Sequence, residues 1–276
     1  MNNFRHISLY DIRMFTQVLK EKFLIDFTEY ASTYLRMRLE NFMSKWNVSS
    51  LDSLLIRMQD NDILLNRLIE ALSVETTEMF RDPSLWRKLY ATYLPKINSS
   101  QINIWLPDIT SDDELYTLLV VLDRLNLLDK TYILATSAYK VNLDRTKTGE
   151  ISMKKYEVSN DNYKRYMQDN EASLDKYFVF SDNKAYFSQE LIERVNYAVL
   201  DVLVRMPDRT FDLVLFRNRM LYYSLNLQNK ILERIYPAIA KKRYLIVGFK
   251  ENISRFAFSD HFKFDDKEDK IYKRVK

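Results

Sequence analysis

Cysteine is absent from the 276 residues, which removes disulfides, thiolate metal sites and a cysteine nucleophile together. Histidine is nearly absent. His6 and His261 stand at opposite ends of the chain, so no histidine metal cluster or His-based triad is expected, and the expected metal is none. No apolar run reaches the roughly 18–20 residues of a membrane span. The N-terminus MNNFRHISLYDIR lacks the apolar core of a secretory signal, so the expectation is a cytoplasmic protein without membrane insertion. The net charge of +4 is a weak basic bias spread along the chain, whereas a nucleic-acid binder concentrates Lys and Arg on one face; nucleic acid is not an expected partner. Glycine occurs only as Gly149 and Gly248. That scarcity matters at INIWLPDITSDDELY (102–116), which reads as a strand, a turn and a helix start. Turns of this kind early in an α/β sheet usually carry glycines, because a phosphate or nucleoside must approach the backbone. This one carries none.

What is present is the composition of a soluble globular chain, 47% apolar and 29% charged, long enough for one large domain or two modest ones. Residues 8 to about 72 are helical in pattern. Ser8 with Asp11 makes a capping-box start. Leu9, Ile12, Phe15, Leu19 and Phe23 repeat at three or four residues, and further stripes start at Tyr34, Leu51 and Ile63. The front of the chain therefore reads as a small helical bundle. From about residue 100 the period changes. Short β-branched and aromatic runs at 102–106, 131–136, 186–187, 195–200, 211–216 and 244–249 alternate with helical patterns at 113–128, 189–194 and 226–240. Buried strands alternating with helices predict a mostly parallel α/β sheet, and HFKFDDKEDKIYKRV predicts a closing antiparallel hairpin. Residues 140–182 are polar with little periodicity and read as mixed helix and loop. The expected fold is α/β: an all-helical domain over 1–75, then an α/β domain over 76–276 whose first part, 76–100, is a linker helix.

Four stretches, in this order, resemble one family. VETTEMFRDPSLW (74–86) is similar to the threonine and Phe-Arg-(Asp/Asn)-Pro signature joining the two domains of the CheR-type chemotaxis receptor methyltransferases. IWLPDITSDDELYTL (104–118) resembles that family's Trp-Ser-x-x-Cys-Ser-x-Gly-Glu-Glu-x-Tyr-Ser turn. ILATSAY (133–139) resembles its Ala-Thr-Asp-Ile strand end, and FDLVLFRNRMLYYS (211–224) its Phe-Asp-x-Ile-x-Cys-Arg-Asn-x-x-Ile-Tyr-Phe block. LDKYFVF, ELIERVNYAVLDVL and LIVGFKENIS extend the likeness over nearly the whole chain. Family members use S-adenosylmethionine (SAM) to methylate glutamate side chains of chemoreceptors. The resemblance thus implies a SAM-methyltransferase-like, Rossmann-like sheet and a chemoreceptor or other signalling protein as partner.

Carried over position by position, the resemblance places Thr77 and Arg81 at the methionine end of SAM, and Arg81 with Tyr222 at the reacting centre. Glu114, Arg217 and Asn218 fall in the cofactor surroundings, Asp201 and Val202 near the adenine, and Ser137 at the ribose. Two positions, one of them Ser137, depart from the pattern. Asp112 stands for the turn glycine, adding a charged side chain where backbone should approach ligand. Ser137 stands for the acid that clasps the ribose diol. Each lost charge-assisted bond costs about 1.5–3 kcal/mol, against about 8 kcal/mol for micromolar binding. Two expectations follow. In one, the chain is a non-catalytic CheR-like module that keeps the fold to bind a partner (a receptor, a regulator or an altered nucleotide-like ligand), with SAM or no cofactor at all left as alternatives. In the other it is an active SAM-dependent protein-glutamate O-methyltransferase, with in-line transfer to a receptor carboxylate. Local patterns add plainer roles. Asp82-Pro83 reads as an N-cap with proline at the first helical position. Arg36, Arg38 and Lys45 form a solvated helix face or meet an acidic receptor helix, and 175–188 reads as a small β-subdomain.

Overall fold

The structure, a computed structural model, describes residues 7–73, 78–111 and 113–276, so Thr77 and Asp112 lie outside the described residues. The chain packs as two units, one of residues 1–74 with 219–230, the other of residues 75–218 with 231–276.

In the first unit, α1 (Leu9–Phe23), α2 (Ser32–Lys45), α3 (Leu51–Met58) and α4 (Asp62–Leu72) follow one another. The capping box at Ser8 and Asp11 forms as the sequence predicts, and Ser50 and Asn61 cap α3 and α4. Ile12, Phe15, Leu19, Leu35, Leu39, Leu54 and Leu68 are buried, whereas Leu9 and Ile63, members of the predicted stripes, face solvent at helix starts. Arg38 is not an open docking cation: its guanidinium donates to the carbonyls of Ala71 and Ser73 at the end of α4. The segment after residue 218 belongs here too. Ala31 N–H donates to the Tyr222 carbonyl at 2.8 Å, Ser224 N–H donates to the Glu29 carbonyl at 2.8 Å, and Tyr30 and Tyr223 form an antiparallel bridge. The Glu29 carboxylate accepts from Ser224 Oγ, Asn226 Nδ2 and Lys230 Nζ.

The second unit holds α5 (Pro83–Lys88), β1 (Ile102–Leu106), α6 (Asp113–Arg124), β2 (Thr131–Ser137), α7 (Lys140–Lys147), β3 (Glu150–Ser152) and α8 (Met153–Met167). There follow β4 (Phe178–Ser181), β5 (Lys184–Phe187), α9 (Gln189–Ile192), β6 (Val195–Val199), β7 (Phe211–Leu215), α10 (Leu225–Ile235, divided between the units at Lys230), β8 (Ile239–Ile246), β9 (Phe262–Asp266) and β10 (Ile271–Arg274). Seven strands make the main sheet in the order β6-β2-β1-β7-β8-β10-β9. The pairings from β6 to β8 are parallel, and β10 runs antiparallel to β8 and β9. β7 is buried along its length and β1 at every position but Asn103, as strands covered on both faces must be. The strand order reverses between β1 and β7, and ligands of open α/β sheets bind outside the carboxyl ends of the strands at such a point.

The segment predicted as mixed helix and loop is more regular than its composition suggested. It forms α7, β3 and the 15-residue α8, and β3, β5 and β4 make a separate three-stranded sheet. The strand expected at 186–187 belongs to this small sheet, not to the main one. The aromatic side chains of α8 explain why the pattern was hidden. Tyr156, Tyr163 and Tyr166 are buried, but tyrosine spaced among Lys, Asn and Asp gives a weak apolar stripe.

Candidate functional site

The carboxyl ends of β1 and β7 supply the centre of the site. β7 runs into Phe216, Arg217 and Asn218, and β1 runs through a turn into the first residues of α6, Asp113 and Glu114. Arg217 is buried beneath this junction. Its Nη1 lies 2.8 Å from Glu114 Oε1 and its Nη2 lies 2.5 Å from Asp82 Oδ2, while the guanidinium carbon sits 5.8 Å from the centre of the Trp86 ring. Asp82 therefore spends its carboxylate on Arg217. No side-chain capping bond forms at α5, contrary to the N-cap reading, although Pro83 does occupy the first helical turn.

The Phe-Arg-Asp-Pro stretch holds its shape at a conformational cost. Phe80 (φ 53°) and Asp82 (φ 57°) both adopt left-handed backbone, each costing about 1–3 kcal/mol and persisting only where surroundings over-determine it. The surroundings do so. Phe80 N–H donates to Thr117 Oγ1 at 2.9 Å, and the fully buried Phe80 ring packs on Tyr163 and Tyr166 of α8. Trp86 Nε1 donates to the Arg81 carbonyl at 2.9 Å. Ser159 and Asn162 of α8 hold the Met79 backbone, and Lys155 Nζ meets Asp113 Oδ1 at 2.8 Å. On the other side Asn218 (φ 60°) is fixed by Glu251, whose Oε2 accepts from the backbone N–H of Asn218 at 2.9 Å and of Gly248 at 2.5 Å. Gly248 is obligatory here: a Cβ would lie 2.4 Å from Asn218 Oδ1 and 2.8 Å from Asn218 N.

Four of the predicted site residues, Arg81, Glu114, Arg217 and Asn218, line one narrow crevice with Glu78, Trp86, Asp113 and Thr117. Among the described residues, Glu114 Oε2, Arg217 Nε and Asn218 Nδ2 are buried without a hydrogen-bond partner. Leaving such an atom unsatisfied costs about 1–3 kcal/mol, more for a charged group. One acceptor and two donors gathered at a strand switch point suit an amino-acid head group, so this end fits the methionine part of SAM.

At the nucleoside end the candidate residues are engaged within the chain. Ser137, at the ribose position, has 0% exposure and its Oγ accepts from Asn142 Nδ2 at 3.3 Å. Asn142 and Thr146 of α7 are themselves fully buried. Tyr116 Oη donates to the Thr146 carbonyl at 2.5 Å, Arg145 donates to the Thr110 carbonyl, and Ile109 N–H donates to the Thr136 carbonyl at 2.7 Å. Ile109, Thr110 and Ser111 are buried as a result, so the described part of the turn offers no open backbone. Asp108 adds a left-handed residue (φ 49°) at its start. Asp201 is taken up by its own turn: its Oδ1 accepts from Leu203 N–H and its carbonyl from Val204 and Arg205 N–H. The Val202 side chain is buried, and its carbonyl accepts from Arg234 Nε.

Tyr222 packs in the first unit, its ring 4.5 Å from that of Tyr34. Sequence reasoning missed Asn142 and Lys155, which lie in the aperiodic segment, and Glu251, which nothing local distinguishes from other surface acids.

Two family models match the chain: the CheR methyltransferase all-alpha domain over residues 10–73 and the CheR methyltransferase SAM binding domain over residues 75–270. Among curated proteins, a putative methyltransferase Cher3 of Pseudomonas putida is 23% identical over 96% of both chains. A chemotaxis protein methyltransferase of Listeria innocua is 21% identical over 88% of this chain and 90% of its own, and one of Borreliella burgdorferi is 25% identical over 86% and 78%. Among solved structures, a putative class I SAM-dependent methyltransferase of Listeria monocytogenes covers 97% of this chain and 87% of its own, at 11% identity and a TM-score of 0.40. With both of its domains matched in order, and with relatives alignable nearly end to end, this chain belongs to the CheR methyltransferase family.

Proposed function

We propose that this chain acts as a CheR-type protein-binding module of a chemotaxis or sensory signalling pathway in the cytoplasm, and that it does not hold SAM in a working geometry. The observation that carries the proposal is the closure of the ribose position: Ser137 replaces an acid and is sealed by Asn142 of α7. Support also comes from Asp201, one of whose carboxylate oxygens accepts from Leu203 N–H in its own turn. The partner is a chemoreceptor or a protein that acts with one, as the names of the relatives suggest. Among the described residues no helix is long and apolar enough to cross a membrane, which agrees with a role at the soluble part of a receptor.

The experiment is a methyl-transfer assay with radiolabelled SAM and purified cytoplasmic domains of the chemoreceptors from the same cell, run beside a co-precipitation with the same domains. Co-precipitation without incorporated label is expected. Labelled receptor glutamates that disappear in Arg81→Ala would establish the catalytic reading instead, with Arg81 orienting a carboxylate and Tyr222 fixing acceptor geometry.

A further inference from the structure

The weak basic bias of the whole chain hides a local one. Residues 239–276 carry eleven Lys and Arg against six Asp and Glu, an excess greater than the +4 of the entire chain. The acids of this stretch are engaged. Asp266, Glu268 and Asp269 surround Lys88 Nζ at 2.5, 3.5 and 2.7 Å, and Asp260 meets Lys276. Asp265 accepts from Tyr93 Oη at 3.0 Å, and Glu251 holds the backbone of Asn218 and Gly248. Away from that acidic turn, at the open end of the β9–β10 hairpin, stand Lys241 and Lys242 of β8, Lys273 of β10 and Lys263 of β9. Among the described residues none of these four meets a carboxylate. We infer that they form a docking face for an acidic protein surface, at the end of the sheet remote from the crevice beside Arg217.

Two features carry the inference, because each keeps lysines in place against the stability of the fold. In the antiparallel ladder Lys273 lies directly opposite Lys263, and like charges so placed destabilise a sheet. A lysine on the edge strand β9 alone would guard that edge against pairing with another chain, but β10 is an interior strand and needs no guard. In β8 the register runs from Phe211 opposite Ile239 to Leu213 opposite Tyr244, so the strand bulges over 240–243. Lys242 (φ 62°) adopts left-handed backbone there, which favours glycine. Bulges re-aim side chains, and this one carries two exposed lysines. The chemistry suits carboxylates better than phosphates. Arginine supplies the forked donors that match phosphate, and the arginines here are engaged inside: Arg243 with Asp212 and Ser99, Arg274 with the carbonyls of Tyr236, Pro237 and Ile239. Single-stranded nucleic acid wants exposed aromatic platforms, and a bilayer wants Trp, Phe or Leu to insert; the exposed large apolar side chain beside these lysines is Val275. Lysines on flexible stems fit a broad negative surface, such as the acidic face of a helix.

The test is fluorescence anisotropy of labelled poly-L-glutamate titrated with the full chain at low salt, with a DNA duplex and phosphatidylglycerol vesicles as competitors at equal charge concentration. Saturable binding that salt weakens is expected, with neither competitor displacing the peptide. Lys263→Glu combined with Lys273→Glu should weaken binding about tenfold, as two attractions become two repulsions. The charge-matched pair Lys130→Glu with Lys154→Glu, at exposed lysines elsewhere, should change it less than about twofold. Lys242→Gly should weaken binding about two- to fivefold and raise the midpoint of thermal unfolding, because it removes backbone strain along with charge. That variant keeps the test valid should the double one fold poorly. Absent binding, equal weakening by the charge-matched pair, or displacement by DNA or vesicles would overturn the inference, and each leaves the reading of the cofactor site as it stands.

Discussion

Replacing Arg217 by methionine isolates the interaction on which the site's architecture depends. Arg217 is 1% exposed, and its two partners differ sharply: the Glu114 side chain is 7% exposed, the Asp82 side chain 29%. Methionine keeps an unbranched, polarizable chain against Trp86, so the change removes charge more than packing. The Asp82 carboxylate, 29% exposed, is partly screened by water and keeps its solvation when Arg217 is lost. The Glu114 pairing is different. Removing one partner of a buried pair leaves an uncompensated charge and costs about 3–5 kcal/mol, a large share of a domain stability of about 5–15 kcal/mol. At about 2–4 °C per kcal/mol for a domain of this size, the midpoint of thermal unfolding should fall by roughly 6–20 °C. Urea unfolding of Arg217→Met, Glu114→Gln and the double variant separates the terms. The double variant should be more stable than the sum of the singles implies by about 1–3 kcal/mol, since the glutamine no longer demands a counter-charge. A loss below about 1 kcal/mol in Arg217→Met, or strict additivity in the double, would refute the argument that Arg217 is present to neutralise Glu114.

Three further outcomes are expected. Gly248→Ala should cost about 1–3 kcal/mol in urea unfolding, because its Cβ meets the Asn218 backbone nitrogen at 2.8 Å and backbone cannot step aside; a neutral substitution would contradict the packing at the end of β8. Ser137→Asp, which restores the family's acid, should not restore cofactor binding and should destabilise the chain, since it places a carboxylate at a fully buried position beside Asn142; binding regained by this change alone would show that α7 does not close the nucleoside position. The Glu29 carboxyl lies below its usual value of 4.5, chiefly through the hydrogen bond from Ser224, with Lys230 and Asn226 adding to it against the opposing effect of burial. A depressed acid contributes stability above its unfolded value and loses it as pH falls through the folded value. Hydrogen exchange at Tyr222 to Ser224 should therefore accelerate below about pH 4.5, and Glu29→Gln should show fast exchange at neutral pH too; equal protection in both proteins at pH 7 would count against the clamp.

The fold was legible because its signals are local and periodic. Ser8 and Asp11 announce α1, the 3.6-residue stripes announce the bundle, and the apolar runs of β1 and β7 can be buried only in a covered sheet. The family motifs then located Arg81, Glu114, Arg217 and Asn218, which the structure gathers round one crevice. What sequence did not reveal depends on long-range partners. Asp82 has every local mark of an N-cap, yet its carboxylate is drawn away by Arg217, 135 positions along the chain. Arg38 has the spacing of a surface cation but satisfies the end of another helix. The loss of the ribose acid was visible at Ser137. Its burial was not, because Asn142 comes from a stretch with no periodicity to place it.

The central claim, that the CheR fold is kept while the SAM site is not, is tested most directly by isothermal titration of the purified chain with S-adenosylhomocysteine. No heat of binding at millimolar ligand is the predicted result, on the proposal that buried Ser137 cannot take the ribose. A dissociation constant in the micromolar range, worth about 8 kcal/mol, would contradict the account and return Arg81, Arg217 and Tyr222 to the study of methyl transfer.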